Sequence, residues 1–459
     1  MSAIPTELGT EKIGKLLRQY ALPAIIAQTA SSLYNMVDSI FIGQGVGPLA
    51  ISGLAITFPL MNLSTAFGTL VGLGASTMMS VLLGQKNYAA ADKVLGNLMT
   101  LNTVIGLAFM AIALIFIDPI LYFFGGSENT IPYARDYMRI ILYGNVITHL
   151  YFGLNSIMRS SGNPRKAMML TLFTVIFNTI LDPIFIFGLG LGIKGAAWAT
   201  VISQTASLII IILHFSNKKR VPHFERGIFR FDRRIAKDSL EIGFGPFLMN
   251  AAACLVTLFI NQQMRKYCGD LGIGAYGICN RLTFMFVMIC IGLNQGMQPI
   301  AGYNYGARKY SRVKEVFKKT AILATIVTSL LFVVSVIFPR AACSIFTTDK
   351  ELLDISAKGL RSMNCMVFLI GFQIISTNLF QCLGMVNKSI FLSLSRQILM
   401  LLPLLYLLPL ELGSDGVWYS FPISDTLAFI MSAIFLIRLF KKFGKLNDGD
   451  EPTILGSKL

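Results

Sequence analysis

Gly84-Gln-Lys-Asn-Tyr88 and Gly306-Ala-Arg-Lys-Tyr310 match position for position from opposite halves of the chain, and the match extends to both sides of them. Upstream, Gly47-Pro-Leu-Ala-Ile-Ser lies over Gly269-Asp-Leu-Gly-Ile-Gly at the same offset, and Gly74 lies over Gly296. Downstream, Gly162 and Lys166 meet Gly384 and Lys388, and a shift of one position brings Gly195 over Gly416. Apolar composition alone produces scattered likeness between helices, not loop glycines and tyrosines in register. The chain therefore reads as a duplication, and the nature of the duplicated unit decides the fold.

That unit is a set of membrane spans. Of the 459 residues 54% are hydrophobic and 14% charged, where a soluble domain carries about a quarter charged. A bilayer core takes about 20 consecutive apolar residues per helix. Twelve such stretches are expected, at roughly 16–40, 51–76, 96–118, 137–158, 167–190, 195–214, 240–264, 275–300, 319–339, 360–382, 389–411 and 415–437. Each copy thus holds six helices. Six is even, so both copies enter the membrane in the same direction, related by an axis along its normal, an arrangement of secondary transporters. The expected fold class is an all-α membrane protein of twelve transmembrane helices in two pseudo-symmetric six-helix lobes. The expected domains are an N-lobe at 1–214, a basic cytoplasmic linker at 215–238, a C-lobe at 239–440 and a cytoplasmic tail at 441–459.

The net charge of +16 is placed as a topology signal. Eight Lys or Arg fall between Lys218 and Lys237 and six between Arg308 and Lys319. This positive-inside bias puts both termini in the cytoplasm of a multi-pass cell-membrane protein. No basic stretch carries the interleaved aromatics or a recognisable module for nucleic acid, so none is expected as a partner. The first fourteen residues are polar and no short apolar core with a cleavage site follows, so no removable signal peptide is expected. The seven cysteines hold no Cys-x-x-Cys pair and fall mostly within expected helices; Cys268 and Cys343 lie outside by this topology, and a disulfide between them is not expected. His149, His214 and His223 have no metal-ligand spacing. No nucleophile or metal constellation of an enzyme is present, and no cofactor is expected. The glycines of Gly68-Thr-Leu-Val-Gly72 and of the run from Gly188 to Gly195 are read as close packing and a tight outer turn, since no Lys-Ser or Lys-Thr follows to complete a phosphate loop.

Polar residues inside spans mark the candidate site. Asp at a helix centre costs roughly 2.5–3.5 kcal/mol on insertion scales. In the first helix Gln28, Ser31, Asn35 and Asp38 follow steps of three, four and three, which puts them on one face. The fifth helix repeats the device with Thr171, Thr174, Asn178 and Asp182, and the sixth adds Thr200, Ser203, Gln204 and Ser207. In the second lobe the matching face of the seventh helix reads Asn250, Ala253, Thr257 and Ile260, and Asp182 falls opposite Pro403 or its neighbour. The acids are thus placed in one lobe. Asp425 and Arg281 are the exceptions, each with a plain reading as a charge paired for structure. Two carboxylates sharing a partly desolvated pocket disfavour two full charges, so the pocket invites a cation: protons, sodium among Asp, Asn and Thr oxygens, or a cationic substrate. Packing by a buried polar network is the alternative. Pro23 sits in the first span before this stripe, where a bend is expected.

Asn178-Thr-Ile-Leu-Asp182-Pro-Ile-Phe-Ile-Phe-Gly188, followed by Gly195-Ala-Ala-Trp-Ala-Thr200-Val-Ile-Ser203, resembles the fifth and sixth helices of the multidrug and toxic compound extrusion (MATE) family. Tyr34-Asn-Met-Val-Asp38-Ser-Ile-Phe-Ile-Gly43 resembles its first helix, and the likeness covers the whole chain. Within the family it is similar to the DinF-type branch with its MepA-like exporters. The resemblance implies a V-shaped pair of lobes and antiport of cationic, amphipathic drugs against Na+ or H+; separately, a monomer is expected. It implies an ion site on Asp38, Asn178, Asp182 and Thr200, with Pro23 at the bend of the first helix; Gln28, Ser31, Tyr34, Asn35, Ser203 and Gln204 are the candidate cavity residues. The NorM-type branch carries acids in its seventh and tenth helices, where this chain offers Asn261, Gln262 and Gln373, so a second sodium site is not expected. A lipid-linked precursor flippase is the alternative, and would be expected to carry cations in its cavity for a pyrophosphate.

Overall fold

The computed structural model describes residues 6–46, 48–124, 126–217, 222–224, 227–228, 230–346 and 350–450, and these contain helices without strands. The first half runs α1 (Glu7–Thr10), α2 (Ile13–Gly45), α3 (Pro48–Gly84), α4 (Tyr88–Ile115), α5 (Ile117–Phe123), α6 (Ile131–Tyr143), α7 (Asn145–Ser160), α8 (Pro164–Pro183) and α9 (Ile193–Phe215). The second half runs α10 (Arg233–Gly306), α11 (Tyr310–Ile337), α12 (Pro339–Ser344), α13 (Lys350–Met363), α14 (Phe368–Cys382), α15 (Val386–Leu394), α16 (Leu402–Leu412) and α17 (Ser414–Phe443). Single π-helical turns follow α8, at Ile184–Gly188, and join α15 to α16, at Ser395–Leu401.

Among the described residues nine helical segments are long and apolar enough to span a bilayer, two of them within α10 (Arg233–Cys268 and Gly274–Gly306), and ten when the bent pair α13–α14 is taken as one span. Two of the twelve expected spans fall outside that set. The fourth is broken at Gly144 into α6 and α7, neither of which reaches the span length. The first corresponds to α2, which is long enough at 33 residues but carries the polar stripe. The membrane reading is supported by what the helices expose: Val104, Leu107, Ile112 and Ile115 of α4 form an exposed apolar stripe, as lipid permits and water penalises.

The duplication is written in the backbone. Among the described residues Lys86 and Arg308 are the non-glycine residues with positive φ, at 61° and 58°, each at the same place in the two matched loops. Gly162 and Gly384 share the left-handed region. Gly192 and Gly413, which precede α9 and α17, have nearly identical angles, φ 57° with ψ −134° and φ 57° with ψ −132°. L-residues other than glycine rarely take such conformations, so their recurrence identifies one architecture used twice.

The chain divides into two compact units. Unit 1 comprises residues 1–10 and 26–247, and unit 2 residues 11–25 and 248–459. The division cuts α2 just after Pro23, which is buried, and cuts α10 between Phe247 and Leu248. Each unit therefore keeps the opening segment of the other half's first helix. In unit 1 that segment meets α3 backbone to backbone: a Cβ on Gly243 would collide with the Leu70 carbonyl oxygen, and one on Gly74 with that of Ser239. In unit 2 a Cβ on Gly292 would stand 2.6 Å from Cα of Ile25, and one on Gly296 would collide with Cα of Ala21. The two seams are the same contact at the repeat offset, closed by glycine in both. The linker lies on the start of α4, where Asp92 accepts the His223 N–H and Asn97 that of Asp232, at 2.9 and 3.1 Å.

Candidate functional site

Three helices of unit 1 build the candidate site. On α8 the spacing of Thr171, Thr174, Asn178 and Asp182 does place one face inward. Asn178 is 2% and Asp182 0% exposed, and Asn178 Nδ2 donates to Asp182 Oδ1 at 3.3 Å. Two turns away Thr174 Oγ1 lies 2.6 Å from Ser207 Oγ on α9 and donates to the Tyr151 hydroxyl of α7 at 3.0 Å. From α9, Ser203 is fully buried, Gln204 accepts from Thr148 at 2.5 Å, and the half-buried Thr200 donates to the Ala196 carbonyl at 3.1 Å. From α2, Asp38 is 5% exposed. Neither carboxylate points outward.

Four oxygens in this group, Asp38 Oδ1, Asn178 Oδ1, Asp182 Oδ2 and Ser203 Oγ, are buried without a hydrogen-bond partner among the described residues. An unpaired buried acceptor costs about 1–3 kcal/mol and an unpaired charge more. Four together are a standing demand for a donor or a cation. The oxygen-only donor set, with no convergence of three His, Cys, Asp or Glu side chains among the described residues, suits an alkali ion or protons and not a soft transition metal.

The structure adds one residue that sequence reasoning misses. Tyr137 of α6 is 1% exposed and lies within electrostatic range of both Asp38 and Asp182. Arg135, Asp136 and Arg139 flank it, so the local sequence reads as a charged helical turn and does not single out the tyrosine. Gln28 and Ser31 are half-buried on α2; the side chains of Tyr34 and Asn35 lie outside the described residues. The π-helical turn begins directly after Pro183, beside Asp182. Such single-turn bulges recur at functional sites.

The second half answers differently. Asn250 and Thr257 are exposed, and Ile260 is buried in an apolar cluster with Met264 and Trp418. Arg281 is exposed on α10. Asp425 of α17 is buried and paired: Arg396 Nε, from the second π-helical turn, donates to its Oδ1 at 2.6 Å. Cys268 and Cys343 are both free thiols.

Comparison with known proteins accords with this geometry. The MatE family model matches residues 23–184 and again residues 246–407, one match in each half. The multidrug export protein MepA of Staphylococcus haemolyticus (strain JCSC1435) is 28% identical over 425 residues, covering 93% of each chain. Among solved structures, a MOP superfamily transporter from Pyrococcus furiosus superposes with a TM-score of 0.91 at 23% identity, covering 97% of this chain and 100% of that one. A multidrug resistance MATE family transporter in an outward-facing conformation gives 0.90 at the same identity and coverage. These superpositions speak for the fold. With a duplicated family match over most of the sequence, the chain belongs to the MatE family.

Proposed function

We propose that this protein is a secondary antiporter that exports cationic, amphipathic organic compounds in exchange for Na+ or H+, with Asp38, Asn178, Asp182 and Thr200 forming the coupling site. The observation that carries the proposal is the set of four buried oxygens, drawn from α2, α8 and α9, that have no hydrogen-bond partner among the described residues. Such a site is stable only when a cation or proton fills it, and its occupancy changes the charge of unit 1. Exchange follows if coupling cation and cationic cargo oppose one another at this unit. The name of the MepA relative supports drugs as the cargo class. Pro23 lies at the border between the units along α2, and serves as the hinge that reports occupancy of the site. Gln28, Ser31, Ser203 and Gln204 line the substrate path, both termini are cytoplasmic, and the protein acts as a monomer.

A flippase for lipid pyrophosphates would need cationic residues presented to its cargo. The candidate interior of unit 1 is acidic, and Arg396 of unit 2 is already engaged by Asp425.

The test is ethidium transport in proteoliposomes under a sodium gradient and, separately, a pH gradient. At least one gradient drives export by the parent. Asp38→Asn and Asp182→Asn each reduce that rate by more than about tenfold, a loss of roughly 1.4 kcal/mol in coupling. Parental rates for both variants under both gradients would remove the site.

A further inference from the structure

Asp425 poses a problem that the proposed coupling leaves untouched. It is a carboxylate whose side chain is 2% exposed, in a half that otherwise carries no acid on the faces matching Asp38 and Asp182. Its partner Arg396 is reached across two helices, and the Arg side chain is 26% exposed. The repeat locates the pair. Arg396 lies over Thr174 at the offset that relates Gly84 to Gly306, and Asp425 lies over Gln204 at the offset that relates Gly192 to Gly413. Thr174 and Gln204 belong to the polar face of α8 and α9 that leads to Asp182 and Ser203. The ion pair therefore occupies the corresponding pair of elements in the second half, α15–α16 packed on α17. It stands on the same stripe, and it too is set at a π-helical turn.

We propose that the Arg396 guanidinium is a tethered counter-cation: it satisfies Asp425 permanently, in the way an exchangeable ion satisfies the first half, and so keeps the second half out of ion coupling. Arginine suits the role because its charge is never lost and its planar fork matches a carboxylate. The other titratable groups in electrostatic range are Tyr276 of α10, near Arg396, and Cys365, which lies between α13 and α14, near Asp425. Both are neutral in their ordinary protonation states, so among the described residues no second cation stands ready to replace Arg396. Removing the guanidinium leaves a buried carboxylate that must take up a proton or a sodium ion. A silent half becomes a cation-responsive one. Arg396 is thus the residue that sets how many ions the protein couples; the proposal rests on the reading of unit 1 only in calling the guanidinium a stand-in for the coupling ion.

The experiment uses full-length protein in detergent with Trp198→Phe, which leaves Trp418 as the sole indole. Trp418 is buried in the same cluster as Tyr276 and Phe421 on the face of α17 below Asp425. Thermal unfolding is followed by its fluorescence at pH 8 and pH 5.5, in sodium or in choline, with Asp38→Asn and Asp182→Asn present throughout so that the first-half site is silent. In this background Arg396→Gln is expected to unfold several degrees lower in choline at pH 8 and to regain most of that loss in sodium or at pH 5.5. Arg396→Gln with Asp425→Asn should unfold near the Arg396 protein in every condition, and Arg396→Lys should gain no cation response. Should Arg396→Gln fail to fold while the double variant folds, charge compensation is still the role of Arg396. A double variant as unstable as Arg396→Gln, or an Arg396→Gln protein whose deficit ignores both pH and sodium, overturns the proposal. Because the first-half acids are absent, neither result depends on the reading of unit 1.

Discussion

The two halves share backbone angles to within a few degrees at Gly192 and Gly413, yet they treat buried charge in opposite ways. The first half leaves Asp38 and Asp182 with unsatisfied oxygens; the second gives its buried acid, Asp425, an arginine at 2.6 Å. A fold thus fixes where charges can sit, and the side chains decide whether the charge is exchangeable. Uncompensated, it is the site proposed to cycle with an ion. Compensated, it is a strut.

The largest test of that difference is stability. Asp425→Asn should destabilise the protein by about 3 kcal/mol, the low end for breaking a buried pair because Arg396 is partly exposed. Asp182→Asn, measured without sodium at pH 8, should be neutral or stabilising, because it removes a charge that has no cationic partner among the described residues. Chemical denaturation of both variants decides it, and equal destabilisation would erase the distinction.

The seams sharpen the comparison at the backbone. Gly74→Val drives a side chain into the Ser239 carbonyl oxygen, and Gly296→Val drives one into Cα of Ala21. Overpacking costs about 1–3 kcal/mol, so both should lower the unfolding midpoint by similar amounts, while Gly188→Ala, with open space around it, should leave it unchanged. A smaller effect is expected within the first-half stripe. Thr174→Val removes hydrogen bonds to Ser207 and Tyr151 and should cost about 1 kcal/mol, without altering the sodium or pH dependence of transport.

The smallest effect concerns the loops. Among the described residues only the second-half loop is strapped by the tail: Asp448 accepts from the backbone and hydroxyl of Ser311, and the Tyr310 hydroxyl donates to the Asp450 carbonyl at 2.9 Å. Burial works to raise the Asp448 carboxyl, but the hydrogen bonds from Ser311 and the Tyr310 backbone, together with the Lys309 charge, outweigh it and hold the group below its ordinary value. A depressed carboxyl stabilises the folded contact above the unfolded-state value, and that contribution disappears as pH falls through the folded one. Hydrogen exchange at residues 447–450 should therefore be slow from pH 8 down to pH 5, after correction for intrinsic rates, and Asp448→Asn should speed it. Equal protection in the variant would show that Asp448 does not hold the strap.

What is legible in the sequence is whatever recurs at short spacing. The steps between Thr171 and Asp182 define a helix face whatever the tertiary fold, and the loop glycines define the repeat. The Arg396–Asp425 pair is not legible, because its members lie on separate elements whose register only packing sets. Tyr137 escapes notice since a helical tyrosine is as often core as site. The break at Gly144 that divides the fourth span is a single glycine in an apolar run, a signal shared with unbroken helices. The π-helical turns have no residue code, although Pro183 and Pro403 stand beside them and remove backbone donors there. The sorting of residues 11–25 with the second half depends on contacts between distant parts of the chain, such as Ala21 with Gly296, which no local pattern encodes.

In the proposed mechanism the oxygens around Asp38 and Asp182 hold an exchangeable cation. The most direct measurement is the unfolding midpoint of the purified protein against sodium at pH 8, with choline holding ionic strength, and against pH in the absence of sodium. A ligand at a hundredfold excess over its Kd stabilises by about 2.7 kcal/mol. A rise of that order is expected in at least one series for the parent, and its loss in both Asp38→Asn and Asp182→Asn; a cation response of full size in both variants would place the exchangeable cation elsewhere.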